Sequence, residues 1–90
     1  MKKCIDCNTC FIWDSDDYVL QECTNIEVVM CKNVVFLNCA NLRMSKDENF
    51  ILIHSKYRVP IDEGWVSSMS DVANFKYICL DEMAKKLSMK

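Results

Sequence analysis

Two β-rich runs on either side of a short polar pair constrain the fold of this chain more than any other feature. Residues 26–31 (Ile-Glu-Val-Val-Met-Cys) and 34–42 (Val-Val-Phe-Leu-Asn-Cys-Ala-Asn-Leu) are separated only by Lys32-Asn33. Two such runs around a two-residue polar turn that contains Asn are typical of a β-hairpin. Pairing across that turn gives one wholly apolar face, which a slip of one residue would destroy. The predicted inward face consists of Ile26, Val28, Met30, Val35, Leu37 and Cys39.

A third strand is predicted beside this hairpin, over residues 50–58. An odd-length polar connection before it places Ile51, Ile53, Tyr57 and Val59 on the same apolar face. Pro60 ends the pairing, because proline has no N–H group to donate to a ladder.

The segment upstream of the hairpin allows two alternatives. A second hairpin around residues 14–17 is favoured, but residues 16–23 also suit a short helix capped by Asp14 or Ser15.

The C-terminal part of the sequence predicts an amphipathic helix over residues 70–88. Its apolar residues recur at the 3.6-residue spacing of a helix, and Ser70 is a suitable N-cap. This helix is expected to cover the apolar face of the sheet, with Cys39 and Cys79 buried between the two. The apolar stripe consists of Val72, Phe75, Cys79, Leu80, Met83 and Leu87.

These elements predict an α+β fold in a single domain, residues 1–90. A small antiparallel sheet of three to five strands lies within residues 10–59, one helix covers it, and residues 1–10 form a cysteine-rich segment. Ninety residues are enough for one hydrophobic core and little more. The single glycine and single proline argue against flexible linkers, and we identify no internal repeat in the sequence.

Composition excludes several classes of function. A net charge of −2 makes nucleic-acid binding unlikely, since the basic footprint that it requires is missing. One glycine cannot build a phosphate-binding loop, and no catalytic motif is present, so neither an enzyme nor a cofactor is expected. No apolar run approaches the ~20 residues of a membrane span, and no signal-peptide core follows the N-terminal lysines. The expected location is the cytoplasm.

Seven cysteines are the most unusual feature of the composition. Cys4, Cys7 and Cys10 are spaced so that a tight turn lets two thiolates reach one zinc ion, with Cys23, His54 or a partner chain completing the site. No second Cys-x-x-Cys pair follows downstream. Three alternatives therefore remain open: unligated thiols, which are favoured, a structural zinc site, and a redox pair.

Surplus apolar residues suggest an interaction surface. On the predicted register, Phe36 and Leu52 project from the sheet face opposite the core, and Trp13 and Trp65 lie at edges or in loops. Either the N-terminal hairpin covers this face, or the face binds another protein or a second copy of the chain.

The leading functional prediction is a non-enzymatic protein-interaction module, a small inhibitor or regulator of a larger intracellular complex, such as phages and mobile elements encode. The first alternative is a zinc-stabilised regulator that contacts nucleic acid. The second is a thiol-based redox protein.

Overall fold

The chain winds into a parallel β-solenoid, in a computed structural model that describes residues 2–55 and 60–80. Odd-numbered strands form sheet A, in the order β1-β3-β5-β7-β9, and even-numbered strands form sheet B, in the order β2-β4-β6-β8. Each coil thus contributes one strand to each sheet. The strands are β1 (Lys2–Ile5), β2 (Asn8–Trp13), β3 (Asp16–Gln21), β4 (Thr24–Val29), β5 (Lys32–Leu37), β6 (Ala40–Ser45), β7 (Glu48–His54), β8 (Val66–Ser70) and β9 (Lys76–Cys79).

A repeat of 16 residues sets the register of both sheets. Tyr18 pairs with Val34, and Val34 pairs with Phe50, each partner lying 16 positions further along the chain. The expectation that the sequence has no internal repeat is therefore wrong. The repeat escapes notice because stacked positions share size and polarity rather than identity, as in the buried column of Leu20, Phe36 and Leu52.

Left-handed backbone conformations build the corners of each coil. In the corner around Cys39, Asn38 has a φ of 51° and Asn41 a φ of 57°, and they bracket the inward-pointing cysteine. Asn and Asp tolerate this region better than other residues with side chains. They fill most of the corner positions with positive φ, which are Asp6, Thr9, Asp14, Asp17, Glu22, Asn25, Met30, Asn33, Asn38, Asn41, Lys46, Asn49, Asp71 and Asn74.

Asparagine ladders join the corners of successive coils. Asn33 Nδ2 donates to Asp17 Oδ1, Asn49 Nδ2 to Asn33 Oδ1, and Asn74 Nδ2 to Asn49 Oδ1, over 3.0–3.2 Å. A shorter ladder on the other side of the coil runs through Asn25, whose Nδ2 donates to Asn8 Oδ1 at 2.9 Å. Each ladder fixes the stacking of corners that bury little apolar surface.

The core lies between the two sheets and runs along the solenoid axis. Its inward columns are apolar, and Phe36 meets Phe50 edge to face with ring centroids 5.4 Å apart. Because one strand of every coil lies on each side, the core is a stack of layers rather than a single centre.

A longer connection between β7 and β8 interrupts the repeat. Ile51 pairs with Lys76, 25 positions further on instead of 16. Sheet B shows the same change, with a bulge at Leu42–Arg43 of β6. Parallel pairing resumes in both sheets beyond it.

The predicted α+β class with an antiparallel sheet is wrong. Residues 10–59 contain parallel strands, and the run assigned to the C-terminal helix of residues 70–88 begins with the end of β8 and continues into β9. Residues 81–90, the second half of that predicted helix, lie outside the described part of the chain. Alternation identified the strands but not their partners, and Lys32-Asn33 begins the next strand instead of closing a hairpin. The short apolar stripe before Cys79 is compatible with the 3.6-residue period of a helix and with the two-residue period of a strand.

The predicted inward face was correct for β4 and wrong for β5 and β7. Ile26 and Val28 are buried as predicted, whereas Val35 and Leu37 point outward and are half-buried. Met30 lies in a corner and is 39% exposed. Antiparallel pairing reversed the assignment, because a change of register by one residue exchanges the two faces of a strand.

Other predictions had mixed outcomes. Cys39 and Cys79 are buried as predicted, although Cys39 lies between two sheets and Cys79 in strand β9. Residues 16–21 are strand β3, not a helix, and the favoured hairpin around residues 14–17 is wrong as well, because β2 and β3 lie in different sheets. The third strand ends at His54, and residues 56–59 are outside the described ranges. Over residues 2–55 and 60–80, no helix is long and apolar enough to cross a membrane.

Candidate functional site

The first coil brings together three of the cysteines that the sequence singled out. Cys4, Cys7 and Cys10 are half-buried and pack against the core, next to the fully buried Cys23. Burial, and then a hydrogen bond with Cys7, raises the pKa of Cys10 to about 11. The pKa of Cys4 is also raised, first by burial and then by the neighbouring Cys7 and Cys23.

In the part of the chain that the structure describes, this thiol cluster does not form a ready-made metal site. Within residues 2–55 and 60–80, no group of three or more Cys, His, Asp or Glu side chains has an arrangement that could hold a metal ion. His54 lies in β7, three strands away from Cys4 in β1, roughly 14 Å at ~4.8 Å per strand. The raised pKa values of Cys4 and Cys10 favour their protonated forms, so a metal ion or an exchange reaction would have to displace those protons.

A shared geometry gives the corner cysteines a structural role. Cys23 Sγ lies 3.4 Å from the carbonyl oxygen of Gln21 and 3.5 Å from that of Cys4. Cys31 and Cys39 repeat this arrangement, each with one carbonyl two residues earlier and one in the preceding coil. The thiol fits the narrow inner corner and still offers a weak donor, which accounts for much of the high cysteine content.

The residues predicted to form an interface are dispersed by the solenoid. Phe36 has no exposed surface, Leu52 is equally buried, and Trp65 packs against His54 with ring centroids 3.6 Å apart. The assignment of Phe36 and Leu52 to an outer face was wrong, for the reason given for β5 and β7, whereas Trp65 lies in the connection before β8, where a loop position was predicted, but is buried. Trp13 alone is exposed, at 61%, on the outward side of β2.

The outer faces of the two sheets differ sharply in polarity. Beyond β2 and apart from Val29, sheet B presents charged and small polar residues, including Glu27, Arg43 and Ser45. Sheet A instead presents an aliphatic surface in the middle of its strands, which we call the aliphatic face. Its members are Val19, Val35, Leu37, Ile51, Ile53 and Ile78, all half-buried.

A groove of about 500 Å³ opens on the aliphatic face at the end nearest the longer asparagine ladder. Val35 and Ile51 lie at its apolar side and Phe75 closes it. The amides of Asn33, Asn49 and Asn74 line the polar side, where their ladder bonds leave further donors and acceptors free. The groove thus combines apolar surface with a row of fixed amides.

The charged residues at the outward strand positions of the aliphatic face are both lysines. Lys3 and Lys76 stand at the two ends of the column that runs through Val19, Val35 and Ile51. The outward positions of the strand segments 3–5, 19–21, 35–37, 51–53 and 76–78 include no carboxylate. Because the whole chain carries a net charge of −2, this face differs from the average surface.

Sequence reasoning missed the aliphatic face because it assigned Val35, Leu37, Ile51 and Ile53 to the core. The signal that would have found it is the 16-residue spacing of Asp17, Asn33 and Asn49, which repeats in Cys7, Cys23 and Cys39. Parallel stacking at that period places Val35 and Ile51 outward.

A buried aromatic stack lies where the longer connection leaves β7. The ring of His54 stacks on that of Trp65 with an interplanar angle of 8°. The ring centroid of Tyr77 lies 5.9 Å from that of Trp65. Burial lowers the pKa of His54, and a hydrogen bond with the Cys39 backbone opposes this change. Among the described residues, His54 Nε2 has no hydrogen-bond partner.

The chain matches no protein-family model and no curated protein sequence.

Proposed function

We propose that this protein is a non-enzymatic interaction module that binds another protein through the aliphatic face of sheet A. The observation that carries the proposal is the column of half-buried aliphatic residues that continues across all the strands of sheet A beyond β1, whereas the outer face of sheet B is largely charged or polar beyond its first strand, β2. Exposed apolar surfaces of this kind, bordered by polar groups, mark interaction sites. The face continues past the groove to Leu37 and Ile78, so it suits a protein surface better than a compact small molecule.

The chemistry of the face specifies a partner segment with apolar side chains next to carboxylates. Aliphatic residues fill the groove over Val35 and Ile51, and carboxylates pair with Lys3 or Lys76 at the ends of the column. Amides of the asparagine ladder hold the backbone of the segment. Opposite charges contribute mainly to orientation and association rate, whereas apolar burial supplies most of the affinity.

Small size and the lack of catalytic motifs favour an inhibitor or regulator within a larger intracellular complex. The seven free thiols, an odd number, are the basis for proposing a cytoplasmic location.

Selection of a random peptide library on the immobilised chain tests the binding specificity directly. We expect enrichment of peptides that combine aliphatic or aromatic residues with Asp or Glu. Ile51→Ser should weaken their binding at least about tenfold, since apolar anchors at the centre of an interface dominate affinity. Lys76→Glu should weaken acidic peptides more than neutral ones.

Val29→Ser is the matched control, because Val29 is a half-buried, outward aliphatic residue of sheet B. It should leave peptide binding unchanged, and amide chemical shifts of the native chain should move on β5 and β7 when peptide is added. Equal losses in the Val29 and Ile51 variants would count against the aliphatic face. So would a lower melting temperature of Ile51→Ser with undiminished peptide binding, which would mean that the face is covered within the chain.

A further inference from the structure

The first coil exposes an unprotected strand edge. β2 is the outermost strand of sheet B, and in the described part of the chain it pairs only with β4. Within residues 2–55 and 60–80, one row of its backbone N–H and C=O groups has no strand partner, and such a row can pair with another strand. Natural sheets normally protect such an edge with charges, proline or a bulge.

The sequence of β2 lacks the first two of these protections. Its regular part is residues 10–13, because Thr9 has a left-handed φ of 68° and is skipped in the pairing with β4. Asn8–Trp13 contains no charged residue and no proline, whereas the neighbouring edge strand β1 begins with Lys2 and Lys3. The outward residues Phe11 and Trp13 are 63% and 61% exposed, and Ile5 of the same coil is also exposed. Backbone pairing potential and exposed aromatic area thus coincide on one strand.

The aromatic pair is confined to this edge of sheet B. Phe11 stacks in register on Glu27 and then Arg43, and Trp13 stacks on Val29 and then Ser45. The opposite edge strand, β8, has the sequence Val-Ser-Ser-Met-Ser. A head-to-tail contact between β2 and β8 would therefore place aromatic side chains beside serines. A contact between two β2 strands places aromatic side chains beside aromatic side chains.

We propose that β2 is a dimerisation strand, which pairs antiparallel with β2 of a second copy about a two-fold axis. A two-fold contact is self-complementary and closes at two subunits. With outward residues opposite outward residues, Phe11 and Trp13 of both copies form one aromatic cluster on the outer face of a continuous sheet B. Lys2 and Lys3 confine the contact to β2, because like charges would meet if β1 also paired with its counterpart.

Sedimentation of the native chain over a concentration series tests this proposal. We expect a monomer–dimer equilibrium without larger species. Hydrogen exchange should show concentration-dependent protection of β2 amides, while amides of central strand β5 are unaffected. Phe11→Lys and Trp13→Lys should each shift the equilibrium at least about tenfold towards monomer, since a charge on an edge strand opposes pairing.

Glu27→Lys is the matched control, because Glu27 occupies the outward position stacked directly on Phe11, one coil inward. It should leave the equilibrium unchanged, and all three variants should keep the melting temperature of the native monomer within a few degrees, as surface substitutions usually do. A native chain that stays monomeric, or one that forms open-ended polymers, would overturn the proposal. Equal effects of Phe11→Lys and Glu27→Lys would overturn it as well. The proposed function uses sheet A and survives any of these results.

Discussion

The backbone N–H of Cys31 donates a hydrogen bond of 2.7 Å to Oδ1 of Asp47, the residue stacked on it one repeat later. Oδ2 of Asp47 accepts a second bond of 2.7 Å from the N–H of Ser45, and the side chain is almost completely buried. Burial raises the pKa of Asp47, and these two hydrogen bonds oppose that change. One carboxylate thus satisfies two backbone donors in consecutive coils.

Asp47→Ala should therefore destabilise the fold by about 2–4 kcal/mol, because it leaves two backbone donors without partners. Asp47→Asn keeps the shape and one acceptor oxygen, and should cost less than the alanine variant. Denaturant titration of both variants measures the difference. A loss below about 0.5 kcal/mol for Asp47→Ala would contradict the described corner.

Phe36 and Leu37 provide a test of the solenoid register. Phe36→Ala should cost about 3–5 kcal/mol, since it removes a fully buried ring and leaves a cavity in the core. Leu37→Ala should cost clearly less, because Leu37 is half-buried on the aliphatic face. Chemical denaturation compares the two free energies of unfolding. The reverse order would support the antiparallel sheet that the sequence suggested.

Stability should depend on the protonation of His54. The pKa of His54 in the folded chain is below its ordinary value of 6.5, chiefly because of burial. Between the two pKa values the unfolded chain therefore binds a proton that the folded chain does not, so the stabilising contribution is complete above about pH 7, begins to fall near pH 6.5 and is lost as pH falls through the lower pKa of the folded chain. Thermal melts between about pH 5 and 7.5 measure this slope. His54→Phe retains a ring against Trp65 and should reduce the slope; an unchanged slope would assign it to other groups.

Asn49 combines a positive φ of 57° with two ladder hydrogen bonds. Asn49→Ala loses the bonds and places alanine in the left-handed region, which costs about 1–2 kcal/mol by itself. Asn49→Gly loses only the bonds, so it should be the more stable of the two variants. Glu48→Ala is the adjacent control, where an exposed ion pair of 3.6 Å with Lys32 contributes at most about 1 kcal/mol. Equal stabilities of the Ala and Gly variants would argue against the corner conformation.

Alkylation should separate the seven thiols into two groups. Cys4, Cys7 and Cys10 are half-buried and should react first, while Cys23, Cys31, Cys39 and Cys79 should react only on unfolding. Mass spectrometry after timed iodoacetamide treatment resolves the two groups. Adding Zn²⁺ should leave the rates of the first group unchanged; protection of those three thiols would instead establish the predicted metal site.

Local alternation gave the strand positions but not their pairing, which requires the 16-residue spacing of the corner residues. Alternation located most of β4, β5 and β7, since period-2 patterns report one buried face. Partner choice depends on contacts 16 residues apart, and local patterns contain no information on such distances. A hairpin and a coil corner both place polar residues such as Lys32-Asn33 between apolar runs.

The candidate site was less predictable than the fold. The predicted antiparallel pairing placed Val35 in the core and Phe36 on the surface, the reverse of their positions in the solenoid. In β5 and β7 the aliphatic face was therefore assigned to the core. The spacing of Cys4, Cys7 and Cys10 places all three on one coil, where they pack against the core around a single corner, and their role as a site stays a prediction. Its chemical state depends on burial by Cys23 and the following coil, which spacing alone does not show.

The longer connection between β7 and β8 shows that a coil can contain more residues while its strands stack on the preceding coil in the usual way. Nine additional residues enter between two coils, yet every later strand still finds its partner in the same sheet. Sequence can therefore be gained or lost at this corner without any strand changing neighbours. An otherwise periodic fold therefore has a position at which insertions can change the surface without altering the strand pairing around the core.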